Sequence, residues 1–385
     1  MTVQATFAYE GIRVGVNGLG GPDIQWLKEF LLPWFELAGP GADVLLEIRR
    51  DPDHYRRLCE LRHGPDIDAF MLDTERIAFP GVQVPGEDVA LHDAEHRLFY
   101  LVAGNRVRLV ACDPLETLRT CFMRVIRELA TGAVQLAGHR FLHASSFAVD
   151  GRAAIVAGPR RAGKTSLLCY ALSRSGAQFL SNDRLLLQAT GSGLRVRGMP
   201  TIVSVRAGTL ELFPEMRQTI ERGGFSNRKT MAECLGPIDP NTRSSQVERR
   251  GLTAIQFCAA LNSRPLATAG AAVLLFPRQT GQRGGLSLQR LSTAQTRAHL
   301  ADCLFANLGP DRLSGAFTLA PTRLARASAP LDSELFELLA ERLPAFECRM
   351  GLDSFSDDAG IGLLCEVLAA TGVAPATDVP AAGDP

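Results

Sequence analysis

Eight consecutive residues, Gly158-Pro159-Arg160-Arg161-Ala162-Gly163-Lys164-Thr165, fit the pattern G-x-x-x-x-G-K-[ST]. Residues of these types at this spacing suit one kind of chemistry. The glycines allow a loop whose backbone N–H groups turn inward toward phosphate oxygens. The lysine reaches the β- and γ-phosphates, and the hydroxyl after it ligates magnesium. The loop, with Ser166 following it, is therefore expected to bind a nucleoside triphosphate, ATP in the first instance, with Mg2+ on Thr165. Arg160 and Arg161 can contact phosphate or an acidic substrate, or equally lie at the surface.

Two side chains outside the loop belong to the same expectation. Residues 141–149 form a β-type run, followed by Asp150-Gly151 and the short apolar run Ala153-Ala154-Ile155-Val156-Ala157. Asp-Gly between two such runs signals a two-residue hairpin turn. A tight turn pairs Val149 with Arg152, and counting back from there puts His143 opposite Gly158. After the loop, residues 165–172 can form a helix that Gly176 stops. Residues 177–180 read as a further strand, ending at Ser181-Asn182-Asp183. Adjacent parallel strands open at the same edge of a sheet. Asp183 is thus expected to face the γ-phosphate, as a magnesium ligand or as the base for an attacking hydroxyl. The plain alternatives are a solvated turn aspartate and a strand-end histidine. Lys164, Asp183 and His143 are the candidate catalytic residues. Arg206, Arg228, Lys229, Arg243, Arg249 and Arg250 are further cations on later loops. The segment 223–248, rich in Asn, Ser, Thr, Arg and Lys, reads as a lid or as an ordinary surface connection.

The elements that must position these groups form an α/β pattern. Residues 1–138 read as a separate α+β domain that governs substrate or partner choice. Within it, residues 14–16 and 44–48 suggest strands, and 70–110 suggest several antiparallel strands with a hairpin at Gly104-Asn105. Residues 23–37 carry Trp26, Leu27, Phe30, Leu31 and Trp34 at helical spacing, interrupted by Pro33. Residues 113–130 predict a helix capped by Asp113, with Pro114 in its first position and Glu116 completing the box. Residues 139–325 form the nucleotide domain, with a strand at 271–276. A helix is expected at 292–308, where Ser292 and Gln295 stand at capping-box spacing. Helices at 331–343 and 357–371 make 326–373 a C-terminal helical extension, and 374–385, rich in Ala, Pro and Asp, reads as a disordered tail.

The chain resembles the HPr kinase/phosphorylase family at His143-Ala144-Ser145, the Asp150-Gly151 turn, the 158–165 loop and Ser181-Asn182-Asp183. Order and spacing match across roughly 140–187. The resemblance implies a P-loop kinase core of the HPr kinase/phosphoenolpyruvate-carboxykinase type, and phosphorylation of serine hydroxyls. Relatives of this kind also include tailoring kinases of ribosomally made peptides and kinases of small molecules. The family usually places two acids where this chain has Asn182-Asp183. The expected function is transfer of the γ-phosphoryl group to a Ser/Thr hydroxyl of a protein or peptide. A non-catalytic nucleotide-binding regulator and a small-molecule kinase are the alternatives.

Composition narrows the partners. The 385 residues carry 41 basic and 41 acidic side chains, so a broad nucleic-acid or anionic-membrane surface is not expected. Hydrophobic residues make up 46%, enough for a sizeable core, yet no apolar run is long enough for a membrane span. Residues 1–18 show no basic-then-apolar signal pattern. The nine cysteines are scattered singly, which suits reduced thiols in a cytoplasmic protein. None of the seven histidines stands in an H-E-x-x-H spacing, so sequence lends no support to a zinc site. Homo-oligomers remain open.

Overall fold

A computed structural model describes residues 3–72, 75–159, 161–190, 193–222, 249–301, 303, 316–319 and 332–370. The protein is mixed α/β and divides into two compact units, with the main boundary between Arg140 and Phe141. Each unit has its own main sheet, and among the described residues no strand of one sheet pairs with a strand of the other.

The first unit is built on nine strands: β1 (Ala5–Tyr9), β2 (Ile12–Asn17), β3 (Glu36–Leu37), β4 (Val44–Arg50), β5 (His63–Leu72), β6 (Glu75–Val82), β7 (Val89–Asp93), β8 (Leu98–Ala103) and β9 (Arg106–Ala111). They lie in the order β3-β1-β2-β4-β9-β8-β7-β6-β5. The β2–β4 and β4–β9 pairs are parallel, and the β7–β8–β9 meander is antiparallel. Helix α2 (Pro52–Cys59) covers one face through Tyr55 and Leu58, packed with Phe99, Leu101 and Val110. Helices α1 (Gly21–Leu31) and α3 (Arg119–Leu136) pack on each other, pinned by an Arg119–Asp23 ion pair at 2.8 Å.

Two helices differ from expectation, for local reasons. The helix expected at 23–37 stops at Leu31, because Pro33 forces the preceding Leu32 into an extended conformation (φ −82°, ψ 146°). The chain then continues into β3. The helix expected from Asp113 opens instead with a 3-10 turn, Leu115–Leu118, and its α-helical part begins at Arg119. Asp113 pairs with Arg97 rather than capping a helix. The short 3-10 turn Ala316–Leu319, which sequence placed in the nucleotide domain, belongs to the first unit, with Phe317 edge-on to Tyr100 at 5.6 Å.

The second unit holds the strands β10 (Arg140–Val149), β11 (Arg152–Ala157), β12 (Gln178–Ser181), β13 (Arg184–Thr190), β14 (Gly193–Met199), β15 (Val203–Arg206), β16 (Arg249–Leu252), β17 (Thr268–Gln279), β18 (Leu286–Arg290) and β19 (Ala345–Met350). Its helices are α4 (Lys164–Arg174), α5 (Ala207–Leu212), α6 (Pro214–Glu221), α7 (Ala254–Ala260), α8 (Thr293–Ala301), α9 (Asp332–Arg342) and α10 (Ala359–Ala370). The main sheet runs β11-β10-β13-β14-β17-β19-β18. Strand β11 also pairs with β17, in parallel, which closes the path β11-β10-β13-β14-β17 on itself. The segment expected as a helical extension thus supplies β19 to this sheet, parallel to β17. One face of the sheet is sealed by α8 and α9: Leu142, Ala144, Ala157, Leu274, Phe276 and Ala345 share a core with Leu300 and Leu339. The capping box of α8 forms as its residues predict, Ser292 and Gln295 exchanging hydrogen bonds of 2.9 and 3.3 Å. The helix ends at Ala301, and the expected residues 304–308 lie outside the described residues, as does the tail 374–385. Among the described residues, no helix is long and apolar enough to cross a membrane, and the cysteines are free thiols.

Candidate functional site

The hairpin that delivers His143 forms in the register that a tight turn demands. Val149 pairs with Arg152, and the ladder runs back to Ala144 opposite Ala157. Asp150 and Gly151 both take positive φ, 49° and 73°, as a type I′ turn requires. His143 is therefore the next residue along, beside the point where the chain leaves β11 at Gly158.

The loop after β11 returns as the first turn of α4. Gly163 occupies its N-cap with φ 103°, a left-handed conformation natural only to glycine. A Cβ there would also press on Met350 Cε, the mobile end of a flexible side chain, so the left-handed backbone is the constraint that requires this glycine. The Lys164 ammonium donates to the carbonyl oxygens of Gly158 (2.6 Å) and Pro159 (3.1 Å), tying both ends of the loop together. Arg161 is exposed and held at φ 69°, a left-handed conformation that is strained for a residue with a side chain. Thr165 is half-buried in the first helical turn. Ser166 is buried and shares a hydrogen bond with the Thr209 hydroxyl of α5 (3.2 Å), so it braces α4 against α5. Arg160 lies outside the described residues.

Asp183 reaches the same region by a route that differs from the expected one. Strand β12 is not the parallel neighbour of β11; it pairs antiparallel with β10, which lies between the two. Two antiparallel steps restore the direction, so β11 and β12 still open at one edge. There the Asp183 carboxylate meets His143 Nδ1 at 3.2 Å. The backbone holds the pair in place. The Ala144 N–H donates to the Asp183 carbonyl (3.1 Å), the Ser145 hydroxyl donates to the Asn182 carbonyl (2.9 Å), and the Ser181 hydroxyl donates to the Arg184 carbonyl (2.7 Å). The side chains of His143 and Asp183 remain 21% and 25% exposed, open enough to meet a ligand.

Side-chain alternation assigns these groups to one face. Leu142 and Ala144 point into the α8–α9 core, so His143 points the other way. On β19, Ala345 belongs to that core, so Met350 points away from it, toward Gly163. Two independent counts thus put the glycine loop and His143 on the same face. Gln279, the last residue of β17, lies against Gly163 as well, and sequence reasoning missed both Gln279 and Met350. They come from strands more than a hundred residues downstream, and no local pattern marks them.

The same count puts Arg278 and Arg349 on the opposite face of the sheet. Arg278, Glu347 and Arg349 fall on the α8–α9 face, where Glu347 accepts from Arg349 (2.6 Å) and Arg278 (3.4 Å). The Arg349 hydrogen bond, followed by the attraction of both guanidiniums, lowers the Glu347 carboxyl below its ordinary range. Arg206 and Arg249 pair across the separate β15–β16 ribbon, with Arg250 beside them. Arg228, Lys229, Arg243 and the segment 223–248 lie outside the described residues.

Among all these groups, one edge brings together a lysine-closed glycine loop, the positive end of a helix, and a half-exposed carboxylate–imidazole pair. Such an edge can hold an anion on backbone N–H groups and a lysine, and can position a hydroxyl or a cation at the carboxylate. No protein-family model matches this chain, and no curated protein sequence matches it.

Proposed function

We propose that the protein is an ATP-dependent kinase of the HPr kinase-like type, with a P-loop core, moving the γ-phosphoryl group to a Ser/Thr hydroxyl of a protein or peptide. The observation that carries this reading is the Asp183–His143 pair at the edge where the Lys164 loop opens. Phosphoryl transfer asks the protein for position and charge more than for covalent work. In the proposed complex, Lys164 and the amino end of α4 bind the β- and γ-phosphates. Thr165 would hold Mg2+, with Asp183 as a further ligand or as the base. The acceptor oxygen bonds to phosphorus as the bond to the ADP oxygen breaks, and the acceptor proton passes to Asp183. His143 donates to Asp183 and orients it. The residues fit magnesium in kind: a partly exposed carboxylate and a hydroxyl are the oxygen ligands it prefers.

A second reading has its own observation. Asn182 stands where the resembled family has an acid, and its side-chain oxygen is buried with no hydrogen-bond partner among the described residues. A nucleotide-binding regulator needs no base at that position. Incubation with γ-labelled ATP and candidate acceptors separates the two readings. Label on a serine or threonine supports the kinase, label on a small molecule redirects the acceptor class, and binding without transfer supports the regulator.

A further inference from the structure

Away from the glycine loop, the first unit buries a cluster of three metal-binding residue types. Asp93 ends β7, His96 lies in the turn that follows, and Cys121 lies in the first turn of α3. One donor atom from each lies within 4.8 Å of the other two. We propose that Asp93, His96 and Cys121 form a binding site for a divalent transition metal, of which zinc is the chemical type.

The donor set fits such an ion. Imidazole and thiolate select zinc and its neighbours over magnesium or calcium, and a carboxylate completes a mixed N/O/S set. A four-coordinate zinc with bonds of about 2.0–2.3 Å sets its ligand atoms roughly 3.4 Å apart. The His96 Nδ1–Asp93 Oδ2 separation is already 2.9 Å, and binding draws the sulfur toward that pair.

The surroundings preorganise the site. Asp93 Oδ1 accepts the His96 backbone N–H at 3.1 Å, which locks the turn. The Tyr100 hydroxyl donates to Asp93 Oδ2 at 3.3 Å and also bonds to Cys121, so one phenol orients two of the three donors. Asp93 and Cys121 are 2% and 0% exposed.

Charge also suits the ion. A carboxylate and a thiolate together neutralise a divalent ion. Cys121 releases its proton to solvent as the metal binds.

The test uses the full chain, stripped with chelator, reloaded with Co2+ and desalted. The expected result is stoichiometric cobalt with a sulfur-to-cobalt charge-transfer band in the near ultraviolet. Cys121→Ser removes the band, and His96→Ala reduces retained cobalt at least tenfold. Lys164→Ala leaves the band unchanged, which separates this site from any ion held with nucleotide. A folded wild-type chain that retains no cobalt overturns the proposal. So does a charge-transfer band that survives in Cys121→Ser. Should the variants fail to fold, the wild-type absorption spectrum and metal content decide the matter alone.

Discussion

Two aspartate–histidine pairs stand among the described residues, and they are built differently. Asp93 and His96 come from one turn, three residues apart, with side chains only 2% and 12% exposed. Asp183 and His143 come from different strands and keep 25% and 21% of their side chains exposed. The first carboxylate spends its lone pairs on a backbone N–H, a phenol and an imidazole. Its hydrogen bond to His96, the largest influence there, holds the imidazole above its ordinary range. The second carboxylate stands beside a glycine loop, held by backbone hydrogen bonds that leave its own oxygens accessible. Burial makes the same pair of residue types a fixture of the fold in one place and available to a substrate in the other.

Substituting each aspartate should therefore have crossed effects. Asp183→Asn is expected to lower phosphoryl transfer by about 10²–10⁴-fold, the usual contribution of a general base, with ATP affinity and melting temperature nearly unchanged. Steady-state kinetics beside calorimetric ATP titration measures this. Loss of ATP binding in that variant would make Asp183 a nucleotide ligand rather than a base. Asp93→Ala is expected to do the reverse, costing roughly 3 kcal/mol of stability by leaving buried partners unsatisfied. Urea unfolding reads it, and an unchanged midpoint would remove the contrast between the pairs.

A third carboxylate sharpens the contrast at lower amplitude. Glu347 is held ionised by Arg349 and Arg278, whose side chains are themselves 48% and 66% exposed. Its folded pKa is depressed. Its stabilisation is therefore fully present above the ordinary value of 4.5 and is lost as pH falls through the lower folded value. Glu347→Gln should cost about 1 kcal/mol at neutral pH, discounted for solvent screening, and the gap should close in acid. Melting temperatures of both proteins from pH 7 to pH 3 give the comparison, and a gap that widens in acid would reverse the assignment. The smallest effect belongs to Arg161→Gly. Relief of a left-handed conformation is offset by glycine's chain entropy, for a net gain of at most about 1 kcal/mol. A clear loss of stability on denaturant titration would mean that the arginine side chain holds the loop.

The hairpin edge was legible because its signals are local. Asp150-Gly151 specifies a turn type, the turn specifies the register, and the register leads to His143 beside Gly158. Ser292 and Gln295 mark the start of α8 in the same way. What escaped is what depends on distant partners. The insertion of β10 between β11 and β12 has no local mark. Nor does the pairing of β19 with β17, which brings Met350 to Gly163. Pro33 ends α1 despite the apolar residues at helical spacing on both sides of it, because proline excludes the preceding Leu32 from the helical region. The Asp93–His96–Cys121 cluster lacks any tight metal spacing, since Cys121 joins the turn only through the packing of α3.

Magnesium-dependent ATP binding, measured by calorimetric titration of the wild type and Lys164→Ala, tests the central claim most directly. Lys164 is the cation that closes the glycine loop onto its own carbonyls. The account predicts that the wild type binds ATP only with Mg2+ present, and that Lys164→Ala weakens binding or abolishes transfer, a loss of about 10²–10³-fold for one preorganised donor. Equal affinity and equal activity in the two proteins would contradict it.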